Sequence, residues 1–78
     1  MTARPMHDMP DDIRRTLVAE HLLADYERRP RYQRNDYLGW IDRAKQPATR
    51  DKRIRQMLDE LRRGGVYMKM PHAPSAKD

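Results

Sequence analysis

The sequence has no cysteine among its 78 residues. This absence excludes a disulfide framework, a thiolate metal site and a cysteine nucleophile. The sequence also has no apolar run near the roughly 18 residues that a membrane-spanning helix needs. Its first residues, MTARPMHDMP, lack the apolar core of a secretory signal. We therefore expect a protein of the cytoplasm.

Catalytic and metal-ligating patterns are equally scarce. His7 and His72 stand in segments without helical periodicity, and neither has a second ligand at metal-binding spacing. The acidic pairs at 11–12 and 59–60 are adjacent in sequence. On a helix the two side chains of such a pair diverge by about 100°, so they form no general acid–base couple. We expect these four carboxylates to be capping and solvated charges. We expect no catalytic residue, no cofactor and no metal, and hence no enzyme.

Size and charge narrow the class of protein further. A chain this short buries only about 60% of its unfolded surface, which leaves little room for an enclosed substrate pocket. The net charge of +5 is uneven: residues 11–29 sum to −1, residues 31–45 to +2 and residues 48–63 to +3. A basic half suits nucleic acid, an anionic surface or an acidic protein, and it also occurs as an ordinary solvated face.

The spacing of apolar residues predicts an all-α fold, a compact bundle of three to four helices. The helical domain is expected over residues 10–64, between a flexible N-terminal tail (1–9) and a mostly flexible C-terminal tail (65–78). Within that tail, the alternation of apolar residues over 66–70 is compatible with a brief extended segment that docks on the helices, and residues from Pro71 onward are expected to be disordered. The strongest periodicity predicts amphipathic helices at about 33–45 and 49–63, joined by a short turn that contains a proline. Two such helices pack as an αα-hairpin.

The only tryptophan, Trp40, is expected to anchor the core of this bundle. Thr49 is expected to cap the N-terminus of the last helix. The other predicted core residues lie at helical spacing on the inner faces: Ile13, Leu17, Leu22, Tyr26, Tyr37, Ile41, Ala44, Ile54, Met57, Leu58 and Leu61.

A series of short motifs carries a family resemblance. In order they are Pro10-Asp11-Asp12-Ile13, Tyr26, Tyr37-Leu38-Gly39-Trp40-Ile41, Ala44-Lys45, Thr49-Arg50, Arg53-Ile54 and Leu61-Arg62-Arg63-Gly64. This series resembles the C-terminal helical module of the YdeI/OmpD-associated family, often labelled bacteriocin-protection. The resemblance covers about residues 9–64 and is most specific in the spacing WI-x-x-AK-x-x-x-TR-x-x-RI.

The resemblance implies an all-α module and an association with tolerance of bacteriocins or antimicrobial peptides, without a known chemistry. The chain departs from the family pattern at two positions. Arg29 stands where the family usually has leucine, and Tyr32 where it usually has a serine that caps a helix. Larger relatives also carry a small β-rich domain ahead of this module.

Arg50 is unusual because it lies inside the apolar stripe of the last predicted helix. One interpretation is structural: the arginine stacks on Trp40 or Tyr37, or pairs with an acid such as Asp12 or Asp36.

The other interpretation is a binding site for an anion or a protein partner. Lys45, Arg50 and Arg53 would then converge at a helix N-terminus, which itself favours anions. An exposed Tyr32 or Tyr67 would complete this surface.

The sequence thus predicts a small non-enzymatic interaction module with an unknown protein or anionic ligand as its partner, and no particular oligomeric state. The alternative is a small basic DNA- or RNA-binding protein that uses its fourth helix. Acidic residues interrupt the basic face of that helix, which counts against sequence-specific DNA reading. The candidate nucleic-acid contacts are Lys52, Arg55, Arg62 and Arg63.

Overall fold

The computed structural model describes residues 6–77. Within these residues the chain forms four helices followed by two strands. Residues 1–5 and 78 of the predicted tails lie outside the described residues. The elements are α1 (Asp11–Ala19), α2 (Leu23–Glu27), α3 (Arg31–Asp42), α4 (Pro47–Arg63), β1 (Gly64–Tyr67) and β2 (Met70–Ala76).

The prediction of an all-α fold is wrong, because the helices are followed by a β-hairpin. Strands β1 and β2 pair antiparallel, with Gly64 opposite Ala76 and Tyr67 opposite Met70. This hairpin occupies most of the segment 65–78, which was predicted to be a flexible tail. The fold is therefore mostly helical with a two-stranded sheet at its C-terminal end.

The turn of the hairpin explains why the sequence did not reveal it. Met68 and Lys69 both have positive φ angles, 49° and 65°. Two-residue hairpin turns of this kind are usually marked by Asn-Gly or another glycine pair, because side chains disfavour the left-handed region. Here neither residue is of the favoured type, so the usual sequence signal is absent.

The Glu60 carboxylate on α4 holds this turn in place. Its Oε1 accepts hydrogen bonds from the Met68 N–H at 2.8 Å and the Tyr37 hydroxyl at 2.5 Å. Its Oε2 accepts from the Lys69 N–H at 2.9 Å and the Gln56 amide at 3.1 Å. Glu60 is 2% exposed. A buried carboxylate thus satisfies both backbone donors of the turn.

Arg29 is the second buried charged residue of the fold, at 4% exposure. Its guanidinium donates to the Val66 carbonyl at 2.8 Å, the Glu60 carbonyl at 3.0 Å and the Gln33 side chain at 3.2 Å. The arginine therefore joins the end of α2 to α3, α4 and β1. A leucine at this position would offer none of these hydrogen bonds.

The predicted αα-hairpin is present as α3 and α4, but its helices have different limits. Pro30 precedes the first residue of α3, and α3 ends at Asp42, before the predicted limit at residue 45. Helix α4 begins at Pro47, so Thr49 lies inside the helix and does not cap it. Proline fits the first helical position because the N–H it lacks has no partner there.

The core lies between the four helices. Three of the residues predicted for it are less buried than expected. Trp40, Ala44 and Ile54 are only partly buried, whereas Tyr37 has no exposed surface and takes the central place expected for Trp40. Ala44 leaves the helical phase because α3 has already ended. The buried apolar residues are Ile13, Leu17, Leu22, Tyr26, Tyr37, Leu38, Ile41, Met57, Leu58 and Leu61.

The described part of the N-terminal segment is packed against α3. The His7 N–H donates to the Asn35 side chain at 2.8 Å. A Cβ added at Gly39 would lie only 2.7 Å from His7 Nε2. The missing side chain of Gly39 therefore leaves the space that the His7 ring occupies.

Helices α1 and α2 are separated at His21, whose φ of 59° is in the left-handed region. The Leu22 N–H returns to the Leu17 carbonyl at 2.8 Å, and the His21 N–H bonds the Val18 carbonyl at 3.1 Å. This is the hydrogen-bond pattern of a helix C-terminus that usually ends in glycine.

Replacing His21 by glycine should therefore stabilise the protein by about 0.5–1 kcal/mol, because glycine adopts this conformation without a steric penalty. The midpoint of urea unfolding measures the change. His21→Ala keeps the Cβ and is the matched control, with no expected gain. An unchanged midpoint in His21→Gly would show that the left-handed conformation of His21 carries no steric penalty.

Replacing Glu60 by glutamine should destabilise the fold by about 1–3 kcal/mol, because in either orientation the new NH2 group faces one N–H of Met68 or Lys69. Chemical denaturation measures the loss. The exposed neighbour Asp59, replaced by asparagine, is the control and should change stability by less than about 0.5 kcal/mol. Equal losses in both variants would show that the Glu60 carboxylate does not hold the turn.

Candidate functional site

Arg50 forms a bidentate ion pair with Asp12. Its Nη1 lies 2.7 Å from Oδ2 and its Nη2 lies 3.1 Å from Oδ1. The hydrogen-bonded Asp12 raises the pKa of Arg50, and Asp51 and Asp42 add to the rise. Arg50 also lowers the pKa of Asp12. Arg50 is therefore paired with a carboxylate, and the structural interpretation of this residue agrees with its contacts.

The other two members of the predicted anion site are not arranged around a shared ligand position. Arg53 donates to the Trp40 carbonyl at 2.6 Å, and its guanidinium lies 5.4 Å from the centre of the Trp40 ring. Lys45 is exposed in the connection between α3 and α4 and makes no ion pair within residues 6–77. Of the three predicted cations, the structure leaves Lys45 available for a partner.

The tyrosines predicted to complete that surface lie elsewhere. Tyr32 is 49% exposed at the start of α3. Its ring packs edge-on against Tyr67 at 6.0 Å, and Tyr67 packs edge-on against Tyr37 at 5.4 Å. Lys45 follows the opposite end of α3, and a helix of this length separates its ends by about 16 Å. The predicted cations and these tyrosines therefore do not form one patch.

Two cross-helix ion pairs fix α1 alongside α4. Asp12 and Arg50 join the starts of the two helices, and Glu20 joins Arg62 near their ends at 2.7 Å. The two helices therefore run in the same direction, although they are distant in sequence.

The remaining predicted nucleic-acid contacts lie on the outer face of α4. Arg63 pairs with Asp59, one helical turn earlier, at 3.3 Å. Lys52 and Arg55 are exposed, and neither forms an ion pair with any residue in the described part of the chain. Two of the four predicted contacts are thus engaged by carboxylates, and two project freely into solvent.

Sequence reasoning missed a charged cluster beside the hairpin. Asp25 Oδ1 lies 2.7 Å from Arg28 Nη2 and 3.1 Å from Lys77 Nζ. Burial raises the pKa of Asp25, but the hydrogen-bonded Lys77 and Arg28 lower it further, so that it lies below its ordinary value. The spacing of Asp25 and Arg28 on one helix face was visible in the sequence. Lys77 was not predictable here because its position depends on the hairpin.

Across residues 6–77 no group of three or more histidine, cysteine, aspartate or glutamate residues is placed to hold a metal ion. None of the helices that the structure describes is both long enough and apolar enough to cross a membrane.

The fold and the surface define a small basic four-helix module that carries a C-terminal β-hairpin. The family model described as "Bacteriocin-protection, YdeI or OmpD-Associated" matches residues 7–64. The chain belongs to this family, which confirms the resemblance found in its sequence motifs. The match spans α1 to α4 and ends where β1 begins. Neither the curated proteins nor the solved structures contain a match to the chain.

The Asp12–Arg50 pair predicts a pH dependence of stability. Because the pKa of Asp12 is lowered from 3.8 in the folded protein, the pair stabilises the fold above pH 3.8. This contribution is lost as the pH falls through the folded-state pKa. Asp12→Asn should cost about 0.2–1 kcal/mol at pH 7, since the pair is partly exposed, and less as the pH falls below 3.8.

Urea unfolding midpoints between pH 7 and pH 3 measure this difference. Asp8→Asn is the matched control, because Asp8 is exposed and pairs with no cation within residues 6–77. If the unfolding midpoints of wild type and Asp12→Asn differ by the same amount at every pH, the ion pair of Asp12 with Arg50 does not contribute the predicted stability.

Proposed function

We propose that the chain is a small non-enzymatic interaction module whose partner presents an acidic protein surface. The supporting observation is the unpaired positive charge of the α4 region. Lys52 and Arg55 lie about one helical turn apart and are exposed, and Lys45 is exposed in the preceding turn. Within the described residues these three cations have no carboxylate partner, whereas Arg50, Arg62 and Arg63 are engaged as described above.

The packing of α4 suits such a role. Its inner face is buried through Met57, Leu58 and Leu61, and the buried Glu60 joins that face to the hairpin. The outer face is therefore presented by a rigid element, and a preorganised surface loses less conformational entropy on binding. The net charge of +5 also attracts an acidic partner over a distance of about a Debye length.

The description of the family supplies a physiological context for this proposal. Tolerance of bacteriocins or antimicrobial peptides would arise through the acidic partner, in the cytoplasm, rather than through capture of the peptide. Antimicrobial peptides are commonly rich in lysine and arginine. A chain of net charge +5 repels such peptides.

An NMR titration tests the proposal. The probe is an N-acetylated, C-amidated hexaglutamate, added to isotopically labelled protein at low and moderate salt. We expect saturable amide shifts around residues 45–55. Lys52→Gln and Arg55→Gln should each weaken binding about two- to fivefold, as for exposed charge pairs. Lys69→Gln, which removes an exposed cation at the hairpin turn, is the control and should leave the affinity unchanged.

A parallel titration with mixed-sequence duplex DNA examines the nucleic-acid alternative, which rests on the same exposed face of α4. Phosphate binding weakens steeply with salt, because cations released from the DNA drive it. DNA-induced shifts over residues 49–63 that persist at moderate salt, with none from hexaglutamate, would replace the proposal with a nucleic-acid-binding function. The absence of shifts with both probes would contradict both functions.

A further inference from the structure

A cavity of about 600 Å³ opens between the end of α2 and strand β2. This volume falls within the range of small-molecule sites in proteins. It lies beside the hairpin, whereas the exposed cations of the proposed partner surface belong to α4 and its preceding turn. The apolar part of its lining comes from α4 and β2: Leu61, Pro74 and Ala76.

The polar part of the lining has an excess of positive charge. Arg28, Arg29 and Lys77 border the cavity together with a single carboxylate, Asp25. Arg28 and Lys77 both contact the same oxygen, Asp25 Oδ1, at 2.7 Å and 3.1 Å. One carboxylate therefore neutralises only part of the charge, and both cations keep further N–H donors for a second anion.

Arg29 gives this cavity a fixed, buried cation. Its side chain is held by hydrogen bonds to Val66, Gln33 and Glu60. These bonds use three of the five N–H donors of a guanidinium. A charged group that is 4% exposed and held on several sides does not need to reorganise when a ligand arrives.

We propose that this cavity binds an organic carboxylate that carries a small aliphatic group. The carboxylate would pair with Arg28 and Lys77 near the buried Arg29, and the aliphatic group would contact Leu61 and Ala76. Charge-assisted hydrogen bonds to guanidinium groups are among the stronger polar contacts in proteins. Such a carboxylate occurs both at the C-terminus of a peptide with an apolar last residue and in a free small acid.

The site combines two parts of the chain. Asp25, Arg28, Arg29 and Leu61 lie within the family match at residues 7–64, whereas the wall formed by residues 74–77 lies beyond it. The proposed site therefore depends on the hairpin of this chain and is not a property of the matched helical module alone.

The first experiment is an NMR titration of the whole labelled chain with N-acetyl-leucine. The matched control is N-acetyl-leucinamide, which has the same aliphatic group and no charge. We expect saturable shifts of amides in residues 25–29 and 75–77 with the acid, at an affinity of about millimolar strength, and none with the amide. Equal shifts with both compounds, or none with either, would overturn the proposal.

A second ligand distinguishes the two sources of the carboxylate. An N-acetylated tetrapeptide of three glycines and a C-terminal leucine presents the same group on a chain. Tighter binding of the peptide than of N-acetyl-leucine would assign the site to peptide C-termini, and weaker binding would assign it to free acids. Both results support a carboxylate site.

Variants of the lining give effects of opposite sign. Arg28→Gln and Lys77→Gln should each weaken N-acetyl-leucine binding about three- to tenfold, because each removes one cation and leaves Asp25 less neutralised. Asp25→Asn should strengthen binding several-fold, because it releases both cations to the ligand. A purely structural role of these residues does not predict tighter binding in Asp25→Asn.

Lys69→Gln, which removes an exposed cation at the hairpin turn, is the control and should bind N-acetyl-leucine as the wild type does. Thermal melts show that each variant is folded before its affinity is compared. Unchanged affinities in Arg28→Gln, Lys77→Gln and Asp25→Asn would overturn the proposal. Hexaglutamate binding is read from amides in residues 45–55 and N-acetyl-leucine binding from amides in residues 25–29 and 75–77, so the failure of one proposal is distinguishable from the failure of the other.

Discussion

The rest of the structure depends on one buried carboxylate that has four hydrogen-bond donors around it. Burying an ionised group is costly unless its charge is satisfied, and Glu60 meets this condition with two backbone N–H groups, a phenol and an amide. Burial and this carboxylate raise the pKa of Tyr37 well above its ordinary value, so the phenol stays a donor. The carboxylate thereby joins the centre of the core to the turn of the hairpin.

Arg29 extends this arrangement from the turn to the start of the sheet. It binds the Val66 carbonyl in β1 and the Glu60 carbonyl in α4, so the hairpin is held at two places by two buried charged residues of the helical module. The same arginine borders the cavity that β2 completes. A buried charged residue of the matched helical module therefore holds a segment that lies beyond the family match.

The sequence made the helical part of the fold predictable, because hydrophobic periodicity is a local signal. It also suggested Asp12 as a partner for Arg50. The hairpin was missed because Met68 and Lys69 lack the glycine or asparagine that marks such turns. The sequence predicts a solvated Glu60 beside Asp59, whereas the hairpin, which the sequence does not predict, buries it. The cavity was missed for the same reason, since Lys77 meets Asp25 only across the folded chain.

The hydrogen bonds between the turn and Glu60 make the stability of the hairpin depend on that of helix α4. A two-stranded hairpin alone is marginally stable in water, and the two backbone donors of the turn in this one, the N–H groups of Met68 and Lys69, bond to Glu60 on α4. Residues 64–76 therefore keep their shape only while the last turns of α4 remain helical, and fraying there releases the sheet and the wall of the cavity together. Slow solvent exchange of the Met68 and Lys69 amide protons would accordingly report the integrity of a helix to which neither residue belongs.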